Sequence, residues 1–298
     1  MTARLGWENV RSLIEEQTGP VLAAEPATEG LNSEIAVTVR TSAGATFVKG
    51  LRSDHRRVWT QQREAEINPY VLQVSPRLRW HVETDGWNLL GFEHIQGRRV
   101  DYSPGSPDLP KVVHVMRQLD GIPCPALPIK QAEQRWSSYT DTPELFAGEH
   151  LLHTEWSPGN VVVNDAAQLV DWAWPTRGAG WIDPASWVVW LVASGHSPES
   201  AEDWATQVPA WRTTPSGHDG FVEYYRGYAW LKMPLDDGLR LLNTLLGTTF
   251  RDRVTIRWQP GSWPTHVPLV YGESDSIDVA EAVQLHFPMH RSRNSPPC

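Results

Sequence analysis

Hydrophobic spacing along the chain changes from a period of two to a helical period, and that change divides it. Residues 34–40, EIAVTVR, alternate apolar and polar positions as a half-buried strand does. TSAGA supplies a turn at Gly44, and TFVKGL predicts a second strand with Lys49 near its end, so the two form a hairpin. From about His55 to Val71 the pattern is helical, and Pro69 ends or kinks that helix because its ring blocks the helical hydrogen bond. RLRWHVETDGWNLLGFEHI predicts two more strands joined by Asp85-Gly86, a dipeptide suited to a tight hairpin turn. A short amphipathic helix, MTARLGWENVRSLIEEQTG, precedes this sheet.

The rhythm changes at His94-Ile95-Gln96-Gly97. DYSPGSPDLP is a connector rich in Pro and Gly. KVVHVMRQLDGI then places apolar residues at 112, 113, 115, 116, 119 and 122, which predicts a helix. Pro123 to Pro128 breaks the chain again, and the region from His153 is loop and hairpin. From Ala185 the text is helical and apolar, and Ser197-Pro198 is a cap and first turn for the next helix. Further helices are predicted over about 218–231 and 235–252, and the last ten residues are expected to fray. The expected organisation is an α+β chain of two parts: residues 1–95, a small antiparallel β-sheet lobe with one helix, and residues 96–298, a larger and mainly helical lobe. Residues with chemical potential fall on the small lobe's sheet and at the start of the large lobe, which places a site between them.

Composition narrows the function classes. A chain of 298 residues, 40% hydrophobic and 20% charged, can bury a sizeable core. A formal net charge of −9 argues against a nucleic-acid partner, since a phosphate backbone needs a basic surface. Cys124 and Cys298 form no C-x-x-C pair, so neither a zinc site nor a disulfide framework is expected. No window approaches the roughly twenty apolar residues of a membrane span, so a cytoplasmic protein without a membrane partner is expected. Most of the 16 Trp are read as core or lobe-packing residues, a few as walls for a flat or sugar-like ligand.

The run HTEWSPGNVVVNDAAQLVDWAWPTRGAGWIDP, from His153 to Pro184, carries the chemistry. Taken singly, Glu155 is a loop acid and Asn160 a turn former. Pro158-Gly159 bends the chain so that both can face one point, and Asp171 follows at the end of the next strand in an apolar frame. A carboxylate there is costly unless it is paired or metal-bound. One acid to orient a hydroxyl, with an amide and a second acid to hold magnesium, is what metal-assisted phosphoryl transfer needs. His153 is grouped with Glu155 in the catalytic loop, as a brace rather than a base, and Asp183 is read as a helix N-cap or loop anchor. Upstream, Lys49 is a candidate grip on the α- and β-phosphates, held by an acid on the following helix. Glu64 and Glu66 are available, and Glu64 is preferred. Gly30, Asn32 and Ser33 form a small-residue loop that a phosphate can approach closely. Glu93 to Ile95 would be a hinge whose backbone reads an adenine edge.

These residues together resemble the signature of aminoglycoside phosphotransferase-like enzymes, a branch of the protein-kinase-like fold that includes choline kinases. That signature runs roughly H-G-D-x-x-P-x-N, a hairpin, I-D, then G-D-P. HTEWSPGNVVV, LVDWAWP and WIDPA are similar to it, and FVKGL, REAEINPYV, LLGFEHIQGRRV and VVHVMRQLDGIPCP lend support, so the likeness spans about residues 28 to 192. The resemblance implies a bilobal protein-kinase-like fold and a kinase that uses ATP and Mg2+. Glu155 would match the catalytic acid, Asn160 and Asp171 the magnesium ligands, and Lys49 and Glu64 the phosphate lysine and its partner. Its acceptor would be a small molecule with a free hydroxyl, an aminoglycoside or other sugar-bearing antibiotic first, which would make the chain an antibiotic-resistance enzyme. The helices after Ala193 match no motif, so the acceptor is not named by them.

The chain departs from the signature at Glu155, where the family has Asp, and at Thr154, where it has Gly. Glutamate is one methylene longer, and a shift near 1 Å in a positioning residue costs about a hundredfold in rate. A loop retracted to suit the longer acid keeps the chemistry. A loop that is not retracted leaves a catalytically weak kinase-like protein that binds nucleotide or ligand without efficient transfer.

Overall fold

One face of the small-lobe sheet is covered by an N-terminal helix and the other receives a charged helix, and this asymmetry sets up the site. The computed structural model describes residues 2–27, 33–137 and 143–213. In chain order the small lobe contains α1 (Thr2–Thr18), β1 (Ala23–Pro26), β2 (Ile35–Thr41), β3 (Gly44–Arg52), α2 (Val58–Ile67), β4 (Leu78–Thr84) and β5 (Trp87–Glu93). The strands form one antiparallel sheet in the order β1-β2-β3-β5-β4. Val10, Leu13 and Ile14 of α1 bury against Val37, Val39, Val48 and Leu89. Successive side chains of a strand point to opposite faces, so Lys49, next to Val48, points away from α1 and toward α2. The turn between β4 and β5 holds Asp85 at φ 50 and Gly86 at φ 78, the paired positive values that a tight hairpin requires.

Helix α2 is shorter than the periodicity of 55–71 predicts. It stops at Ile67, and Asn68–Tyr70 tighten into a 3-10 turn around Pro69. Strand β1 was not foreseen: all four of its residues are exposed, so it shows no alternation. It is an edge strand, where Pro26 is tolerated.

The large lobe contains β6 (Arg98–Arg99), α3 (Leu109–Asp120), β7 (Lys130–Gln131), α4 (Ala132–Arg135), β8 (His150–Leu152), β9 (Val161–Val163), β10 (Ala167–Leu169), β11 (Thr176–Gly178), α5 (Ile182–Ala193) and α6 (Pro198–Ala205). Its strands make two small sheets, ordered β10-β9-β6 and β7-β11-β8. Helix α3 buries Leu109, Val112, Val113, Val115, Met116 and Leu119, the face its apolar spacing marks. Helix α5 is buried over most of its surface and begins three residues before the expected Ala185, with Pro184 tolerated in its first turn. Ser197 caps α6, its Oγ accepting from the Ser200 N–H at 3.2 Å. The helices expected over 218–231 and 235–252 lie outside the described residues. Among the described residues no helix is long and apolar enough to cross a membrane.

The lobes are fastened behind α2. Ile67, Val71 and Val74 belong to the large lobe's core, not to the core under α1. The Leu169 N–H donates to the Val74 carbonyl at 2.7 Å, and the Trp172 indole N–H donates to Ser75 Oγ at 2.6 Å. The architecture is bilobal α+β, and the fastening places the chain around Asp171 opposite the inner face of the small sheet.

Candidate active site

Lys49 joins the two lobes. Its Nζ lies 2.7 Å from Glu64 Oε2 on α2 and 2.6 Å from Asp171 Oδ1 on the large lobe. Glu64 reaches it because Thr60, Glu64 and Ile67 recur at helical spacing on the buried face of α2. Glu66 points elsewhere and pairs with Arg63 at 2.8 Å. Asp171 reaches it because its backbone turns left-handed, φ 66, at the end of the β9–β10 hairpin. That conformation is uncommon outside glycine, though Asp tolerates it better than most. Burial pulls the Lys49 pKa down, but Asp171 and Glu64 more than offset this and leave it raised, so the ammonium stays charged.

Val170 gathers the rest. Its N–H donates to the Asn160 carbonyl at 2.9 Å, which sets Asn160 beside the residue preceding Asp171. Its carbonyl lies 3.0 Å from His153 Nε2. His153 Nδ1 accepts from the Glu155 N–H at 3.3 Å. Only the neutral Nε2–H tautomer satisfies both contacts, and burial lowers the His153 pKa in the same sense. With the ring buried and both nitrogens engaged inside the loop, His153 has the geometry of a brace and not of a base facing a substrate. Asn160 Nδ2 donates to the Glu155 carbonyl at 3.4 Å. The chain thus draws Glu155, Asn160 and Asp171 around one hairpin.

Asp183 anchors this loop instead of capping α5. It sits inside the first turn, and its carboxylate accepts from the N–H of His153 at 2.9 Å and of Thr154 at 2.8 Å. Burial pushes the Asp183 carboxyl up, against the pull of those two amides. On either side of Glu155 the loop is pinned: Thr154 is buried at φ 67, and Trp156 is buried with its carbonyl accepting from the Tyr102 hydroxyl at 3.1 Å.

Gly30 and Asn32 lie outside the described residues, and Ser33 is half-buried ahead of β2. The Glu93 N–H donates to the Arg77 carbonyl at 2.9 Å, within the sheet. The β-bulge between Leu78 and Trp80 brings β4 into that register. Glu93 and Ile95 line a polar cavity of about 280 Å³ with Pro76, Arg77, Asn164 and Gln168. None of Lys49, Glu155, Asn160 and Asp171 lines it. Among the described residues no group of three or more His, Cys, Asp or Glu is arranged to hold a metal ion. An amide oxygen and one carboxylate suit magnesium, which keeps several waters and takes further ligands from phosphates.

Arg135 was not singled out from the sequence, yet its Nη1 donates to Thr154 Oγ1 at 2.9 Å and Thr176 Oγ1 at 2.7 Å. Trp59 of α2 meets Trp174 edge-on, with ring centroids 4.8 Å apart.

No protein-family model and no curated protein matches this chain. Solved structures do. Choline kinase LicA from Streptococcus pneumoniae, which is also known in complex with AMP, matches with a TM-score of 0.56 at 13% identity, over 80% of this chain and 98% of that one. Aminoglycoside phosphotransferase APH(3'')-Id from Streptomyces rimosus, in complex with ADP and streptomycin, matches with a TM-score of 0.55 at 14% identity, over 79% of this chain and 97% of that one. Aminoglycoside phosphotransferase APH(4)-Ia, in complex with AMP-PNP and hygromycin B, matches with a TM-score of 0.55 at 12% identity, over 79% of this chain and 95% of that one. The chain has the bilobal protein-kinase-like fold that these proteins share.

Proposed function

We propose that this chain is an ATP- and magnesium-dependent phosphotransferase. It works in the cytoplasm on a hydroxyl of a small polar molecule, with an aminoglycoside or other sugar-bearing antibiotic as the acceptor class. The observation that carries the reading is Lys49, held between Glu64 and Asp171 at 2.7 and 2.6 Å. A cation so placed, between a sheet and the end of a hairpin, is positioned to meet phosphate oxygens when Asp171 turns to a metal. The nucleotides and aminoglycosides bound by structural neighbours agree with it.

In this reading the nucleotide lies between residues 1–95 and 96–298, with the loop around Gly30, Asn32 and Ser33 over its phosphates and the Glu93–Ile95 connector beside its base. Asn160 and Asp171 would hold magnesium, which when bound would neutralise phosphate charge. Lys49 grips the α- and β-phosphates, and Glu64 fixes Lys49. Glu155 accepts a hydrogen bond from the acceptor hydroxyl and orients its oxygen toward the γ-phosphorus. The new O–P bond forms as the bond from phosphorus to the β–γ bridging oxygen breaks, ADP leaves, and the hydroxyl proton passes to the Glu155 carboxylate. Positioning counts most in such a loose transition state. His153 and Asp183 serve it by holding the backbone on either side of Thr154.

The test is a thermal-shift panel with MgATP and candidate aminoglycosides and choline, followed by a transfer assay on each hit. MgATP is expected to stabilise the chain, and Glu155→Ala to lower kcat by about 10²–10⁴-fold. Absence of both MgATP stabilisation and transfer ends the reading. A wild type that binds MgATP without transfer, and gains transfer as Glu155→Asp, is instead a catalytically weak nucleotide-binding protein.

A further inference from the structure

The sheet β7-β11-β8 brings three strand ends together, and Arg135 sits on all of them. Strand β7 runs directly into α4, whose last residue is Arg135; Thr154 lies two residues past β8; Thr176 opens β11. Thr176 pairs across the sheet with Lys130 and with Leu152. Arg135 Nη1 donates to both threonine hydroxyls, and the Trp174 carbonyl lies 3.4 Å away. The guanidinium carbon is 4.8 Å from the Trp136 ring centroid and 5.3 Å from that of Trp174. A planar cation stacked on two indoles has little orientational freedom, so Nη1 is held where both hydroxyls meet it.

Thr154 is where this clasp acts on the loop. A β-branched residue at φ 67 is a steric outlier that persists only when its surroundings over-determine it. Its N–H is fixed by Asp183 and its hydroxyl by Arg135. Relaxing φ would swing the next residue, Glu155.

We propose that Arg135 is a positioning residue that holds Thr154 in the left-handed conformation and so sets where the Glu155 carboxylate lies. The inference rests on the reading of Glu155 as the residue that orients the acceptor hydroxyl. Glycine enters the left-handed region without steric cost, so Thr154→Gly removes the need for the clasp.

A double-mutant cycle decides it. Arg135→Gln is expected to lower kcat by about tenfold or more in the wild-type chain, with the KM for MgATP held within about twofold. In a Thr154→Gly chain the same substitution is expected to lower kcat by less than about twofold. An equal loss in both backgrounds overturns the proposal, because Arg135 would then act through Thr176 or through the fold at large. Should Arg135→Gln not fold, Thr154→Val keeps the branched shape and removes the hydroxyl that Arg135 reaches. It is expected to lose kcat by a similar factor, and wild-type kcat in Thr154→Val overturns the proposal. Hydrogen exchange of the His153 and Thr154 amides gives a readout that needs no turnover. Arg135→Gln should speed it in the wild-type chain and add nothing in Thr154→Gly, and unchanged exchange in the wild-type chain overturns the clasp. If the wild type transfers no phosphate, the enzymatic reading fails alone and the exchange result still decides the role of Arg135.

Discussion

Replacing Lys49 with methionine probes the ion-paired centre directly. Methionine keeps the apolar stem and removes the ammonium. Glu64, whose side chain is 5% exposed, loses a partner at 2.7 Å, and Asp171, 28% exposed, loses one at 2.6 Å. Breaking a buried ion pair costs about 3–5 kcal/mol, because the remaining charge stays out of water. Water reaches Asp171 and screens its share, so Glu64 carries most of a loss of about 3 kcal/mol at neutral pH. Burial already pushes the Glu64 carboxyl up, and without Lys49 the main opposing pull is gone. A raised folded pKa gives stability that is present below the unfolded value and lost as pH rises. The deficit of Lys49→Met is therefore smallest near pH ~4 and grows toward neutrality. Adding Glu64→Met removes the buried charge and should bring stability back to within about 1 kcal/mol of wild type.

Urea unfolding of the three chains at both pH values, with and without MgATP, separates fold from function. The single variant should be destabilised and the double variant recovered, and neither should gain stability from MgATP. A Lys49→Met chain as stable as wild type at pH 7 refutes the ion-paired geometry. A double variant that MgATP stabilises as much as wild type refutes the placement of Lys49 at the phosphates.

Three further outcomes follow from the same geometry. His153 is held neutral by burial, against the pull of Asp183, Glu155 and Asp171, so its folded pKa lies below the ordinary 6.5. The stability it confers is present above 6.5 and lost as pH falls through the folded value. The melting temperature should decline on that side, His153→Gln should flatten the decline, and an unaltered acid limb in His153→Gln would sink the argument. Gln61 on α2 is 1% exposed and neither atom of its amide has a hydrogen-bond partner among the described residues; Gln61→Met should raise stability by about 1–3 kcal/mol in urea unfolding, and a loss would mean that the amide holds a bound water. Chelation of magnesium with EDTA should abolish the thermal shift given by ATP while leaving the melting temperature of the free protein unchanged, since Lys49 Nζ already pairs with Asp171 at 2.6 Å; a drop in the free protein's melting temperature would count against that.

The pairing of Lys49 with Glu64 was legible because a lysine ending an inward-facing strand needs an acid, and the next helix offers only two. Spacing on α2 chooses between them, since Glu64 shares a face with Thr60 and Ile67 and Glu66 does not. The hairpin between Asn160 and Asp171 was legible because Pro158-Gly159 and the short apolar run fix where the chain turns. Arg135 was not legible. Its acceptors lie 19 and 41 residues away, and nothing in a four-residue helix says that three strand ends will meet there. Strand β1 escaped because exposed edge residues bear no hydrophobic imprint.

The altered residues around Glu155 act as one construction. A loop that had merely lost its signature would be expected to shed constraints, since left-handed backbone at a β-branched residue costs roughly 1–3 kcal/mol unless its neighbours enforce it. Here the neighbours enforce it at every point: Asp183 takes two amides, Arg135 takes the Thr154 hydroxyl, Tyr102 takes the Trp156 carbonyl, and Asn160 takes the Glu155 carbonyl. Threonine at a left-handed position creates the strain and supplies the hydroxyl through which Arg135 holds it. Trp156 fills the core beneath and fixes the other side of Glu155. A backbone fixed on both sides leaves the glutamate's own rotamers as the main freedom by which its extra methylene can be accommodated, and a rigid frame is what a longer side chain needs if its carboxylate is to return to one place.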